Sequence, residues 1–226
     1  DVAKTLNNQG TNFRLMKQYS DTLQCLTEAL AIFKELFEGD ASVDVAKTLH
    51  DQGVNYENMK QHKNADRCYT EALVVFREIA QGAASADVAK TLAFQGGNYK
   101  TIGQYRDADQ CFTEAIAIHR EIAESDISEG IANTLLNQGD NYRAMKQYRK
   151  AALCNAEALA IFKKISNGTD STDIAETLSA RGDYYRATGR KIRGREEYQK
   201  ALKIFMRLEP GHHLVTKLQF ILSLPE

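Results

Sequence analysis

The chain has 226 residues, 43% of them apolar and 26% charged, with two prolines. Twenty-nine Lys and Arg stand against 30 Asp and Glu, for a formal net charge of −1, which argues against a whole-chain binder of nucleic acid or of a membrane surface. No run of about 18 apolar residues is present to cross a membrane, and the start, DVAKTLNNQG, has neither an initiator Met nor a basic-then-apolar leader. It reads as a soluble piece of a longer chain, working in the cytoplasm.

Self-similarity organises everything else. DVAKTL occurs at Asp1, Asp44 and Asp87, a step of 43 residues, and the same step reaches IANTL from Ile131 and IAETL from Ile174. Five copies share one frame, set by Gly10, Gly53, Gly96, Gly139 and Gly182. Small residues recur at Ala29, Ala72, Ala115, Ala158 and Ala201, and aromatics at Phe13, Tyr56, Tyr99, Tyr142 and Tyr185.

In the first copy Val2, Leu6, Gly10 and Phe13 fall on one arc at about 100° per residue, which predicts a helix. The predicted turn is Lys17-Gln18-Tyr19, with Gly103 and Gly189 in its place in copies three and five. A second helix follows, with Thr22, Leu26, Ala29 and Phe33 on one face. It ends near Gly39, matched by Gly82 and Gly168, which suit a left-handed C-cap. Ser42, Ser85, Ser128 and Ser171 precede the next first helices as N-caps, with acidic residues close behind to favour the helix dipole. After Glu209-Pro210-Gly211 the pattern changes to HHLVTKLQFILS. Its stripe of Leu214, Leu218, Ile221 and Leu222 predicts a closing helix, as stacked repeats require at an end.

The expected fold is therefore all-α: a right-handed α-solenoid of five helix-turn-helix repeats, over 1–43, 44–86, 87–129, 130–172 and 173–209, with a capping helix over 210–226. The large, small and aromatic positions, in copy three Leu92, Gly96, Tyr99, Ala108, Phe112 and Ala115, resemble the tetratricopeptide repeat. The step of 43 exceeds that family's usual 34 and is similar to the longer repeats of kinesin light chains. The resemblance covers about 209 of the 226 residues. Gln9, Gln52, Gln95 and Gln138 depart from it, standing where the family has Leu. Asn155 replaces an aromatic and Gly194 a small Ala. Of the Asn pair that light chains use to hold peptide, Asn7-Asn8 remains, while copy two has His50-Asp51 and copy three Ala93-Phe94.

Enzyme signatures are missing: there is no phosphate loop and no nucleophile elbow, so no catalytic residue, metal or cofactor is expected. Cys25, Cys68, Cys111 and Cys154 recur once per copy. Stacked helices place such equivalents ~8–10 Å apart, too far for a disulfide, which needs Cα atoms within ~7 Å. Four ligands converging on one zinc are equally excluded. Small core-edge thiols in a reducing compartment fit better. His62 and His119 replace repeat aromatics, and His212-His213 is expected to face solvent. Gln9 and Asn12, with their equivalents through Gln138 and Asn141, predict an amide ladder between neighbouring first helices.

The face of each first helix opposite its apolar arc differs between copies. It runs Lys4, Asn7, Thr11, Arg14, Leu15, then Lys47, His50, Val54, Glu57, Asn58, then Lys90, Ala93, Gly97, Lys100, Thr101. Copies four and five give Asn133, Leu136, Asp140, Arg143, Ala144 and Glu176, Ser179, Asp183, Arg186, Ala187. The resemblance implies that this stripe lines a concave groove. Within it Lys4, Asn7, Arg14, Lys47, His50, Asn58, Lys90, Lys100, Arg143 and Arg186 are the candidate contacts. Copies one to three carry five bases against Glu57, so an acidic peptide or a C-terminal carboxylate is the expected partner. The alternatives are an architectural, self-associating array and an RNA binder using Arg186 to Arg195, beside Tyr184 and Tyr185.

Overall fold

The computed structural model describes residues 1–38, 41–123 and 127–224, and among them every regular element is a helix. The chain divides into two compact units, Asp1–Ile122 and Ala123–Glu226. The first holds α1 (Val2–Leu15), α2 (Tyr19–Leu36), α3 (Val43–Asn58), α4 (His62–Ala80), α5 (Ala86–Thr101) and α6 (Tyr105–Ile122). The second holds α7 (Glu129–Ala144), α8 (Tyr148–Ile165), α9 (Thr172–Ala187), α10 (Lys191–Leu208) and α11 (His213–Ser223). Each odd helix packs on the even helix that follows it, and in the first unit α2 then meets α3 and α4 meets α5.

The turn inside each pair is closed in one way. Gln18 N–H donates to Phe13 C=O at 2.9 Å, and Gln61, Gln104, Gln147 and Arg190 repeat the bond. The intervening residue is left-handed each time: Lys17, Lys60 and Lys146 at φ 59–60°, Gly103 and Gly189 at 80° and 77°. This is a Schellman closure. It lets Tyr19 open α2, one residue earlier than the predicted turn. At the far end the left-handed backbone begins one residue before the expected glycines, at Gln81 before Gly82 and Asn167 before Gly168. Gly39 lies outside the described residues. All four recurring serines are N-caps, though only the hydroxyls of Ser85 and Ser171 accept a helix N–H.

Packing explains the small positions. All five recurring alanines are fully buried. A Cβ on Gly53 would stand 2.5 Å from the Tyr69 ring, and one on Gly182 would stand 2.4 Å from Tyr198. The ring of the second helix thus rests on the bare backbone of the first, a contact only glycine permits. The first unit's core runs through Ala3, Phe33, Val45, Leu49, Phe76, Val88 and Leu92. Val2, expected on the apolar arc, is exposed, and Ala3 takes the buried place.

The second unit departs in copy five. Glu197 occupies the register of the four cysteines, and Arg181 that of the glutamines. Where Cys111 and Cys154 approach the amide oxygens of Gln95 and Gln138 at 3.9 and 3.7 Å, Arg181 and Glu197 form an ion pair at 3.6 Å. The closing helix α11 is present. Val215 and Leu218 bury its stripe, with Leu214, Ile221 and Leu222 half-buried. His212 does not face solvent as expected. Its Nδ1 caps Leu214 N–H, its Nε2 meets Glu176 at 3.2 Å, and its ring stacks on Phe205 at 4.2 Å. His213 is exposed. Lys217 adds an ion pair to Asp183 at 3.4 Å.

Candidate functional site

In the first unit, α1, α3 and α5 carry the polar stripe. Two of its expected contacts prove to be links between neighbouring helices. Asn7 Nδ2 donates to Thr48 Oγ1 at 2.8 Å, and His50 Nδ1 meets Thr91 Oγ1 at 3.1 Å. Both threonine hydroxyls donate to backbone carbonyls in their own helices, Thr48 to Asp44 and Thr91 to Asp87. Thr91 Oγ1 is therefore the acceptor, and His50 carries a proton on Nδ1. His50 is only 7% exposed and stands edge-on to Phe94, with ring centroids 5.0 Å apart, beside Tyr69. Burial, with the Lys90 and Arg14 charges, pushes its pKa down to about 4.

The amide ladder exists but runs elsewhere than expected. Asn55 Nδ2 donates to Tyr19 C=O at 2.9 Å and Asn98 Nδ2 to His62 C=O at 3.0 Å. Gln52 reaches Thr27, and Gln95 reaches Asp66 and Thr70. These partners all lie on the preceding second helix, not on the neighbouring first helix. Tyr19 and His62 open α2 and α4, and their carbonyls use a second lone pair to accept the amide, which fastens each first helix to the start of the preceding second helix. In copy one, Gln9 and Asn12 are exposed.

The bases divide into two sets. Lys4 pairs with Asp44 at 3.8 Å and Lys47 with Asp87 at 3.9 Å, both at exposed positions where such pairs contribute little. Arg14, Lys90 and Lys100 form no ion pair among the described residues. Arg14 from α1 and Lys90 from α5 both act on the middle of α3, at His50 and at Asp51. Asp51 is half-buried, and burial raises its pKa against the pull of Arg14, Lys90 and Lys47. Below it Glu57 accepts from Tyr69 Oη at 2.5 Å, and burial raises its carboxyl too, against that bond and the His62 and Lys100 charges. Asn58, on the rim, donates to Val54 C=O within its own helix.

The second unit's stripe is tied up internally. Arg143 pairs with Asp140 at 3.1 Å, and α11 holds Glu176 and Asp183. Arg186 lies against the Tyr198 phenol, whose Oη donates to Asp183 at 2.6 Å. In the basic cluster, Arg195 donates to the carbonyls of Leu222 and Leu224 and so closes α11. The four cysteines are buried and form no disulfide, and burial pushes the Cys68 and Cys111 thiols up to about 11, which makes these two poor nucleophiles at neutral pH.

Asp51 and Phe94 are the stripe residues that the projection missed, one position beside it. Their signal was the register of the Asn pair, which both occupy. Among the described residues no helix is long and apolar enough to cross a membrane.

No curated protein matches the chain. Solved structures resemble it at low identity, and the likeness is one of fold. BtubC (BKLC) from P. vanneervenii has a TM-score of 0.80 at 18% identity, over 93% of this chain and 82% of that one. The nearly identical TPR-like repeats of a kinesin light chain-like protein of Podosopora anserina give 0.74 at 13%, over 91% and 96%. A Rap protein complexed with Competence and Sporulation Factor gives 0.75 at 17%, over 96% of this chain and 56% of that one. The tetratricopeptide repeat family matches residues 1–73 and 44–121, more than half of the sequence, and the chain belongs to that family.

Proposed function

We propose that the chain is a non-catalytic interaction scaffold that holds a peptide segment, acidic in part, in a groove lined by α1, α3 and α5. The observation that supports this most is the set of three bases without an ion-pair partner among the described residues, Arg14, Lys90 and Lys100, two of them converging on the centre of α3. Lys4, Lys47 and Asn58 line the rim, and Asn7 and His50 hold the helices that carry it. In the second unit, Arg143 and Arg186 are already neutralised by their own surroundings, Asp140 and the Tyr198–Asp183 pair. The Rap protein was solved with a bound factor on a similar fold, which fits the reading.

The test is fluorescence anisotropy with labelled Asp/Glu-rich nonapeptides at low salt, on the native chain and on Arg14→Glu/Lys90→Glu. Reversing these two charges, one half-buried and one exposed, leaves the helical content unchanged and weakens binding at least tenfold, with the native affinity falling as salt rises. Equal affinities for the two proteins would sink the proposal.

One observation favours stacking as a second activity. Gln9 and Asn12 present on α1 the amides that, in α3 and α5, engage another repeat's second helix. If this face self-associates, sedimentation shows a concentration-dependent oligomer that Asn12→Arg returns to monomer.

A further inference from the structure

We propose that Asp51 is the acceptor at the centre of this groove, so that the segment bound there is ampholytic, with a lysine or arginine flanked on both sides by acidic residues. The inference rests on the peptide-binding reading above and specifies its ligand. A purely acidic segment does not suit the site, because the two bases nearest its centre, Arg14 and Lys90, act on a carboxylate already present. That carboxylate is half-buried, and among the described residues no hydrogen bond and no close ion pair reaches it. The neighbouring bases attract it from a distance without bonding it, which leaves its oxygens free to accept.

Its neighbours on the same helix are already engaged. His50 is spent on Thr91, Glu57 on Tyr69 and Asn58 on Val54. A ligand ammonium or guanidinium would give Asp51 the donor it lacks and offset the cost of its burial. A ligand carboxylate at the same point would meet a like charge.

Geometry sets the spacing. Arg14 stands on α1, Asp51 on α3 and Lys90 on α5, and packed neighbouring helices lie about 8–10 Å apart. An extended segment advances ~3.3 Å per residue, so acidic side chains about two or three positions to either side of the base fall toward Arg14 and Lys90. Lys100 and Lys47 add to the flanking positive field.

The test compares two acetylated, amidated peptides by isothermal titration, Asp-Glu-Lys-Glu-Asp and the same sequence with norleucine for the lysine. Native protein prefers the lysine peptide at least fivefold. Asp51→Asn, which keeps the shape and lowers the burial cost, loses that preference and binds the norleucine peptide more tightly than native protein does. Circular dichroism confirms that the variant is folded. A lack of preference in the native protein overturns the inference without need of the variant, as does a preference that survives Asp51→Asn. In both cases the groove reading still stands. If neither peptide binds, the groove reading falls and this inference with it.

Discussion

Arg181→Gln lowers the thermal midpoint of the second unit by about 10 °C, and adding Glu197→Cys restores most of the loss. Glu197 is buried, and its Oε2 has no hydrogen bond, facing Arg181 at 3.6 Å, while Oε1 is held by Lys200 at 2.9 Å. Lys200 is mostly exposed, so it is a weak and screened partner. Removing Arg181 strands a carboxylate in the interface between α9 and α10. Loss of one partner from a fully buried pair costs about 3–5 kcal/mol. With Lys200 retained and Arg181 partly exposed, about 2 kcal/mol is expected, or roughly 8–16 °C in a unit of about 100 residues.

The second substitution follows from the repeat. Gln with Cys is the pair that copies three and four place at this contact, so the double variant installs a combination the fold already accepts. Glu197→Cys alone costs less than Arg181→Gln, since a partly exposed guanidinium can turn to water. The cycle gives a coupling of about 1–2 kcal/mol, as groups in contact do. Thermal melts of the four proteins followed at the helical signal decide it. Additive losses would mean that the two residues do not share one site.

How far the sequence carried this picture depends on how often each position is repeated. Helix pairs, buried alanines and the glycine under the ring were legible because a constraint met in several copies leaves the same residue type behind. The left-handed turn could be read at Lys17, Lys60 and Lys146 only because Gly103 and Gly189 share their register. The division of the bases was not legible on a single helical wheel. Lys4 and Lys47 meet Asp44 and Asp87, 40 residues on, and that offset appears only once first helices are laid side by side. The amide ladder was recognised as structural, but its partners include main-chain carbonyls of Tyr19 and His62, which leave no trace in side-chain pattern. His212 was misjudged for a related reason. Its capping bond, its contact with Glu176 and its stacking on Phe205 all depend on α11 having docked.

His50 makes the first unit acid-sensitive, and replacing it with Asn removes the sensitivity. Its pKa is about 4 in the folded chain against an ordinary 6.5, because the ring is buried and faces Phe94, Tyr69 and the Lys90 and Arg14 charges. Between those two values the unfolded chain binds the proton and the folded chain does not. Stability is therefore full above pH 6.5 and is lost as pH falls toward 4, by about 1.4 kcal/mol per unit, some 3 kcal/mol in all. Asp51 and Glu57 act in the opposite sense. Their carboxyls are raised, so the folded state protonates first and acid relieves the cost of burying them. Both carboxyls are present in the native chain and in His50→Asn alike, so the difference between the two proteins isolates His50. Asn is the right replacement because Asn7 makes the same bond to Thr48 in the preceding copy, so the link to Thr91 survives without a titrating ring. Urea midpoints taken from pH 7 to 5 fall steeply for the native chain and stay level, or rise slightly, for His50→Asn. Parallel declines in both proteins would place the acid sensitivity elsewhere and leave His50 as a packing residue alone.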